Sequence, residues 1–220
     1  MRLLIADHEP IYRRGLKDIL SEESEFDCVE EAGNAAEVQK AFRRGKWDVV
    51  ILEGSLPGKS FLDLLKDLKQ EAPEAKMLVL DDRHNDECGI RSLKAGARGC
   101  ISKECSAAEI VSAVRRVLSG GKYIDAETAE RLANQFGSEN DDRLPHERLS
   151  DREFQVMNLI GQGKTATEIA KFLHLSVKTV STYRTRILDK MKMRNNLELM
   201  HYSVHQETSA PVFSPVPSQA

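Results

Sequence analysis

The sequence predicts an α/β domain with a doubly wound, five-stranded parallel sheet of the flavodoxin type, followed by a small all-α helix-turn-helix domain. Two observations lead to this fold class. Over residues 1–120, short apolar β-type runs alternate five times with segments whose apolar residues recur every three or four positions. Over residues 148–205, helical spacing continues without strand patterns. A repeated β-α alternation is typical of a parallel sheet covered by helices on both faces.

The strands of the first domain are predicted at RLLIAD, FDCVEEA, DVVILE, KMLVLD and GCIS. Apolar residues at helical spacing follow each one, beginning with Ile11, Leu16, Ile19 and Leu20 after the first strand. Runs such as VVIL and MLVL contain no polar position, which is typical of strands buried on both faces.

Ionisable side chains end most of these strands. The first strand ends in Asp7 and His8, the third in Glu53 and the fourth in Asp81, and Lys103 follows the fifth. Open parallel sheets place their functional crevice beyond the carboxyl ends of the strands. The sequence therefore predicts that these side chains share one crevice.

The predicted crevice holds three carboxylates and only one fixed cation. Like charges about 4 Å apart repel by about 4 kcal/mol at an effective dielectric constant near 20. We therefore expect either that a protonated His8 joins the network or that a cation is weakly held there. Alternatively, Asp81 turns out to solvent.

A linker and a tail complete the predicted domain organisation. Residues 121–147 combine a short helix, KYIDAETAERLANQFG, with the polar and acidic stretch GSENDDRLPHER. Residues 206–220, which are rich in proline and serine, predict a disordered tail.

Three short helices are predicted in the second domain from their capping residues. Ser150 with Glu153 and Thr165 with Glu168 form two capping boxes, and Ser176 can cap the third helix. On that third helix the apolar residues, Val177, Val180, Ile187, Leu188 and Met191, should face the domain core. The opposite face carries small hydroxyl side chains and cations, which suit contacts with base edges and phosphates.

Composition narrows the class of protein. The charged fraction of 30% and hydrophobic fraction of 40% are ordinary for a globular protein. Without an apolar run of about 20 residues or a signal peptide, the expected location is the cytoplasm. The four cysteines lack metal-site spacing and are expected to be reduced thiols. Residues 148–205 hold 10 basic and 5 acidic side chains, whereas the whole chain has a net charge of −3. This local excess of positive charge is what binding to phosphates requires.

The stretch from Leu149 to Met191, LSDREFQVMNLIGQGKTATEIAKFLHLSVKTVSTYRTRILDKM, resembles the LuxR-type DNA-binding domain of NarL/FixJ response regulators. The resemblance implies that the third helix enters the major groove of DNA. It makes Ser181, Thr182 and Thr185 the base-reading candidates. By the same resemblance, the phosphate-contacting candidates are Lys178, Tyr183, Arg184, Arg186 and Lys190.

A last helix is predicted from Asn196 to Val204, capped by Asn195, with Leu197, Met200 and Val204 in one apolar stripe. In the resembling family this helix pairs two DNA-binding domains. Packing onto the third helix is the alternative.

The first domain resembles the receiver domain of two-component signalling. Asp7, Lys103 and the turn EGSLPG match the family's pattern, in which Glu53 takes the place of the phosphoacceptor aspartate. Other positions depart from it. His8 replaces the second acidic residue, Asp81 replaces a hydroxyl residue, and Cys100 replaces the switch aromatic.

We therefore expect an atypical, phosphorylation-independent response regulator that binds inverted-repeat promoter sites in double-stranded DNA as a constitutive homodimer. The resemblance implies RNA polymerase as a further partner. No catalytic residue, metal, cofactor or membrane contact is expected. Two alternatives remain: a receiver-fold adaptor that binds a protein, and a metal-dependent phosphotransfer enzyme that uses Asp7 and Glu53 as ligands.

Overall fold

The computed structural model of the chain describes residues 1–81, 86–124, 128–130, 132–133 and 144–207. Within these ranges, no helix has both the length and the apolar character needed to cross a membrane.

The first domain contains the five predicted β-α units. Its elements are β1 (Arg2–Ala6), α1 (Pro10–Ser21), β2 (Cys28–Ala32), α2 (Ala35–Arg44), β3 (Val49–Glu53), α3 (Phe61–Glu71), β4 (Lys76–Asp81), α4 (Asp86–Lys94), β5 (Gly99–Ser102) and α5 (Ala107–Leu118). All strand pairs are parallel, in the order β2-β1-β3-β4-β5. The predicted doubly wound, flavodoxin-type sheet is confirmed.

Two apolar clusters hold this sheet between its helices. One packs the residues of α2 and α3 against one face, and the other packs α1 and α5 against the opposite face. All five residues of β3 are buried because this strand lies in the middle of the sheet. Of the residues that gave α1 its helical spacing, Leu16 and Leu20 are buried, whereas Ile11 is 90% exposed at the start of the helix.

The second domain begins with a 3₁₀ helix, Pro145–Arg148, and continues with α6 (Asp151–Gly161), α7 (Ala166–Leu173), α8 (Val177–Met191) and α9 (Asn196–Glu207). Both predicted capping boxes are formed, and Ser176 caps α8. The turn between α7 and α8 places His174 in the left-handed region with φ of 53°. The predicted helix-turn-helix is confirmed.

Two predicted packing contacts in this domain are wrong. Val177 is 46% exposed because it lies in the first turn of α8, before the helix reaches the core. Leu197 is 74% exposed, whereas Leu199 is fully buried. Helix α9 packs on α6 and not mainly on α8. The two helices approach closely at Gly161, where an added Cβ would lie 2.6 Å from Ser203 Oγ.

The predicted linker and tail fall largely outside the described residues. Residues 128–130 and 132–133 are helical, as expected for the segment after the receiver, while 125–127, 131, 134–143 and 208–220 are not described. Helix α9 ends at Glu207, three residues beyond the predicted Val204.

The close approach of α6 and α9 leads to a stability prediction. Gly161→Ala should lower the free energy of unfolding by about 2 kcal/mol, because overpacking forces the two helices apart. The matched control is Gly15→Ala in α1, where an added Cβ would meet nothing within 4 Å. That control should stabilise the chain by about 0.5–1 kcal/mol through helix propensity. Urea unfolding of both variants checks this, and equal stability changes would contradict the assigned contact.

Candidate functional site

A buried ion cluster lies at the carboxyl edge of the sheet. The ammonium nitrogen of Lys103, Nζ, is 2.9 Å from Asp7 Oδ2 and 2.7 Å from Glu53 Oε1. It is also 2.8 Å from Glu9 Oε2. Asp7 and Glu53 have no solvent exposure. The turns after β1, β3 and β5 meet here because the strands are parallel and their carboxyl ends lie at one edge of the sheet.

The carboxylate of Glu53 is surrounded by hydrogen-bond donors. Lys103 Nζ and Ser55 Oγ donate to Oε1 at 2.7 and 2.9 Å. The backbone N–H of His8 donates to Oε2 at 2.8 Å, and His8 Nδ1 lies 2.8 and 2.7 Å from the two oxygens. Because a carboxylate only accepts, His8 Nδ1 carries a proton and donates it. His8 therefore joins the network through this hydrogen bond, while a charged imidazole at this position stays a prediction.

The cluster changes the pKa values of its members in different directions. Burial raises the pKa of Asp7, and the neighbouring Glu53 charge adds to this, against the hydrogen bond from Lys103. Burial would also raise the pKa of Glu53, but hydrogen bonds from Lys103 and His8 outweigh it and lower that pKa. Burial opposes the charge on Lys103, yet the bonds to Glu53, Glu9 and Asp7 raise its pKa. Lys103 therefore remains a cation.

Three members of the cluster were not predicted from the sequence. Glu9 supplies the third carboxylate on Lys103, Ser55 donates to Glu53, and the ring of Tyr12 lies 4.8 Å from Lys103 Nζ. The position of Glu9 directly after His8 is a signal that could have identified it, because the turn that follows β1 presents both side chains. Nothing comparable marks Ser55 or Tyr12.

Two residues assigned to the crevice lie beside it. Asp81 is partly buried and lines a neighbouring cavity with Gly54 and Cys88, which Ser55 of the cluster also lines. Burial, followed by the charge of Asp81, raises the pKa of the Cys88 thiol well above its usual value. Cys100 is buried in the core under α4, where an added Cβ on Gly89 would lie 3.6 Å from it. The strand-end pattern placed Asp81 in the crevice because it gives strand ends but not side-chain directions, whereas Cys100 was assigned by the receiver resemblance.

The receiver resemblance implies a magnesium ion in this crevice, which the side chains there would have to bind. Asp7, His8 and Glu53 offer ligand atoms that lie within 4.8 Å of one another. Magnesium requires oxygen ligands in a near-octahedral arrangement. Here an imidazole replaces the second acidic ligand, and the Lys103 ammonium contacts both carboxylates. The residues therefore do not fit magnesium.

A buried arginine joins the two domains. Arg91 of α4 is 9% exposed and its guanidinium lies 4.5 Å from the ring centre of Phe154. It donates to the backbone oxygens of Leu149 at 2.9 Å and His146 at 3.1 Å. It also donates to Asp151 Oδ1 at 3.1 Å, and Lys66 pairs with the other oxygen of Asp151 at 2.7 Å. One receiver side chain thus holds the segment that starts the second domain.

A second contact lies directly beside the ion cluster. The ring of Phe172 in α7 meets the ring of His8 edge-on, with centroids 6.3 Å apart. The backbone N–H of Gly58 donates to the carbonyl oxygen of Phe172 at 3.3 Å. The cavity that Asp81 lines lies between the domains. It has a volume of about 60 Å³, and Leu62 and Leu159 also line it. His8 therefore contacts both the acceptor-position carboxylate and the helix-turn-helix domain.

The receiver leaves the outer face of α8 accessible. The exposed residues of this face are Lys178, Ser181, Thr182, Thr185, Arg186 and Asp189.

The other phosphate-contacting candidates bind within the domain. Arg184 is partly buried and donates to Asn196 Oδ1 at 2.5 Å, and Lys190 pairs with the buried Glu153 at 2.6 Å. Tyr183 is partly buried and packs against the core. This geometry favours Lys178 and Arg186 as the cations available to DNA.

Comparison with known proteins identifies both domains. Residues 3–115 match the response regulator receiver domain, and residues 147–203 match the bacterial regulatory proteins of the luxR family. The chain is 32% identical to the response regulator UvrY of Escherichia coli K12, over 92% of each chain. It is 31% identical to the DNA-binding transcriptional activator DevR/DosR of Mycobacterium tuberculosis, over 94% of this chain and 95% of the relative.

The fold has counterparts among solved structures. A structure of RcsB from Salmonella typhimurium has a TM-score of 0.73 at 24% identity, covering 93% of this chain and 97% of that chain. A structure of two RcsB dimers bound to two parallel DNAs has a TM-score of 0.58 at 25% identity, covering 93% and 98%. A receiver joined to a LuxR-type domain defines a two-component response regulator with a DNA-binding output. The chain belongs to the NarL/FixJ family of these regulators.

The lowered pKa of Glu53 leads to a pH-dependent prediction. A carboxylate whose pKa is lowered by folding stabilises the fold at neutral pH, and this contribution is lost as the pH falls through the folded pKa. Glu53→Gln should lower the free energy of unfolding by about 3 kcal/mol at neutral pH, because Lys103 loses a buried partner. The difference from the unmodified chain should shrink below the ordinary carboxyl range, near pH 4.

Urea unfolding across a pH series measures this difference. Glu74→Gln, at an exposed glutamate, is the matched control and should change stability little at any pH. A Glu53→Gln difference that stayed constant from neutral to acid pH would show that the charge of Glu53 contributes nothing.

Proposed function

We propose that this chain regulates transcription by binding inverted-repeat promoter sites as a constitutive homodimer, and that its receiver acts without phosphorylation. The observation that carries the proposal is the state of Glu53, whose buried carboxylate accepts hydrogen bonds from Lys103, Ser55 and His8. The acceptor position thus holds a negative group that is already bound by the receiver's own donors.

Phosphoryl transfer needs a nucleophilic oxygen and space for the incoming group. Both oxygens of Glu53 face donors within 2.7–2.9 Å, so an approaching phosphoryl group would have to displace them. Glutamate also places its carboxylate one methylene farther from the backbone than aspartate, near where part of a phosphoryl group would sit. We propose that Glu53 holds Lys103 and His8 in place of a phosphoryl group.

The alternative of a metal-dependent phosphotransfer enzyme finds less support. Such an enzyme needs Asp7 and Glu53 as cation ligands, but the Lys103 ammonium is 2.9 and 2.7 Å from these same carboxylates. A cation would therefore have to displace it. We propose that the chain acts by binding and not by catalysis.

DNA binding and dimerisation rest on different observations. The accessible face of α8, with Lys178 and Arg186 exposed, supports DNA binding. DevR/DosR is a DNA-binding transcriptional activator, and RcsB has been solved as dimers bound to DNA. On α9 the 74% exposed Leu197 offers an apolar contact for a second copy. These features favour a DNA-binding dimer over a protein-binding adaptor.

The proposal includes two further assignments. RNA polymerase is the further partner, because a promoter-bound regulator acts on transcription beside it. The cytoplasm is the proposed location, because a regulator that binds the bacterial chromosome acts there.

Independence from phosphorylation is tested with acetyl phosphate and magnesium. The intact mass of the chain should not change on incubation, since Glu53 offers no free nucleophilic oxygen. Affinity for a selected DNA site, measured by fluorescence anisotropy, should also stay the same within error. A phosphorylated species with tighter DNA binding would overturn the proposal.

The matched control restores two of the missing acidic groups. The double variant His8→Asp/Glu53→Asp carries an aspartate at the acceptor position and a second acidic side chain beside it. Phosphorylation of this variant, but not of the unmodified chain, would assign the loss to these two positions.

DNA binding by the face of α8 is tested through its salt dependence. Lys178→Ala and Arg186→Ala should each weaken binding to all sequences and reduce the slope of log K against log salt by about 0.9. Lys40→Ala, at an exposed lysine of α2 in the receiver, is the matched control and should leave the slope unchanged. If neither α8 variant altered the slope, the groove-facing orientation of α8 would be refuted.

A further inference from the structure

The exposed face of α8 has an unusual chemistry for a helix that binds DNA. Its centre carries the hydroxyl side chains Ser181, Thr182 and Thr185, with Lys178 towards its start, Arg186 at its edge and the acidic Asp189 towards its end. Side chains that read guanine by donating two hydrogen bonds are therefore absent from the centre of the face.

Each of these hydroxyls is hydrogen-bonded to the helix itself. Ser181 Oγ donates to the carbonyl oxygen of Val177 at 3.0 Å, and Thr182 Oγ1 donates to that of Lys178 at 3.0 Å. Thr185 Oγ1 donates to the carbonyl oxygen of Ser181 at 3.2 Å. A hydroxyl has one proton and two lone pairs. With the proton committed to the backbone, each group presents lone pairs to the groove.

Acceptors of this kind distinguish the bases. In the major groove, adenine N6 and cytosine N4 carry donor hydrogens, whereas guanine offers only the acceptors O6 and N7. Lone pairs on Thr182 or Thr185 therefore match adenine or cytosine and repel guanine. They also match phosphate poorly, because phosphate needs donors.

The same face carries methyl groups. With Oγ1 turned back to the helix, the other branch of each threonine is its Cγ2 methyl, and Val177 beside them is 46% exposed. Apolar groups in the major groove contact the 5-methyl group of thymine. Acceptors and methyls together match one base pair best, since a T·A pair offers both a methyl and a donor.

We propose that the α8 face selects half-sites with T·A pairs at their centre, read by backbone-bonded hydroxyls and threonine methyls. This inference rests on the proposed DNA-binding function and specifies what that function recognises. Lys178 and Arg186 then anchor the helix on the flanking phosphates.

The first test is selection of bound sequences from a randomised duplex library by the full chain. We expect T·A pairs at the positions nearest the dyad-related helix centres, with a guanine there weakening binding about fivefold or more, as one mismatch of about 1–3 kcal/mol implies. Selection of guanine at those positions would overturn the inference but leave sequence-specific binding intact. A chain that selects no sequence would overturn the proposed function as well.

The second test separates methyl contacts from hydrogen bonds. Replacing thymine by uracil in the selected site removes only the 5-methyl groups, and it should weaken binding about fourfold for each lost contact. The double variant Thr182→Ser/Thr185→Ser keeps the hydroxyls and should lose this sensitivity to uracil. The matched variant Thr182→Val/Thr185→Val keeps the methyls and should retain the sensitivity while losing discrimination against guanine.

The role of the methyl groups is decided by comparing the thymine and uracil versions of one DNA site. Equal binding of thymine and uracil sites by the unmodified chain would overturn the role of the methyls. If both double variants bound too weakly to measure, that comparison with the unmodified chain would still decide it. Helix content by circular dichroism confirms that the variants are folded.

Discussion

The ammonium group of Lys103 neutralises carboxylates that the fold has removed from water. Asp7 and Glu53 are fully buried, and an uncompensated charge in such a place destabilises a protein by several kcal/mol. Lys103 lies 2.7–2.9 Å from both of them and from Glu9, so it joins the turns after β1, β3 and β5. The edge of the sheet that faces the second domain depends on this one cation.

The position of His8 follows from this cluster and connects it to the DNA-binding domain. Glu53 binds the backbone N–H and Nδ1 of His8, which fixes the ring so that it meets Phe172 of α7. Arg91 fixes the start of the second domain from another side. The receiver therefore contacts α6 and α7, while the face of α8 that carries the hydroxyl residues remains open. In this arrangement the domains are packed together without covering that face.

The sequence predicted those features that depend on periodicity and capping. Strand ends gave Asp7, Glu53 and Lys103, and Ser150 and Thr165 gave the helix starts, because both depend on residues close in the chain. It did not predict which carboxylates would reach Lys103, because Asp81 ends a strand yet lies outside the cluster, whereas Glu9 lies beyond the end of β1 and reaches it. Nor could it predict Leu199 as the buried residue of α9, because the close approach at Gly161 rotates that helix onto α6. Contacts between domains, such as that of Arg91, leave no local pattern at all.

Three hydrogen bonds at the junction between the domains are accepted by main-chain oxygens. Arg91 donates to the carbonyl oxygens of His146 and Leu149, and Gly58 donates to that of Phe172. Carbonyl oxygens are present whatever side chain a position carries. Replacing the side chain of His146, Leu149 or Phe172 would therefore leave the acceptor of each bond in place. A junction of this kind is insensitive to the identity of the output-domain side chains at these three positions, and its specificity lies in Arg91 and in the path of the backbone.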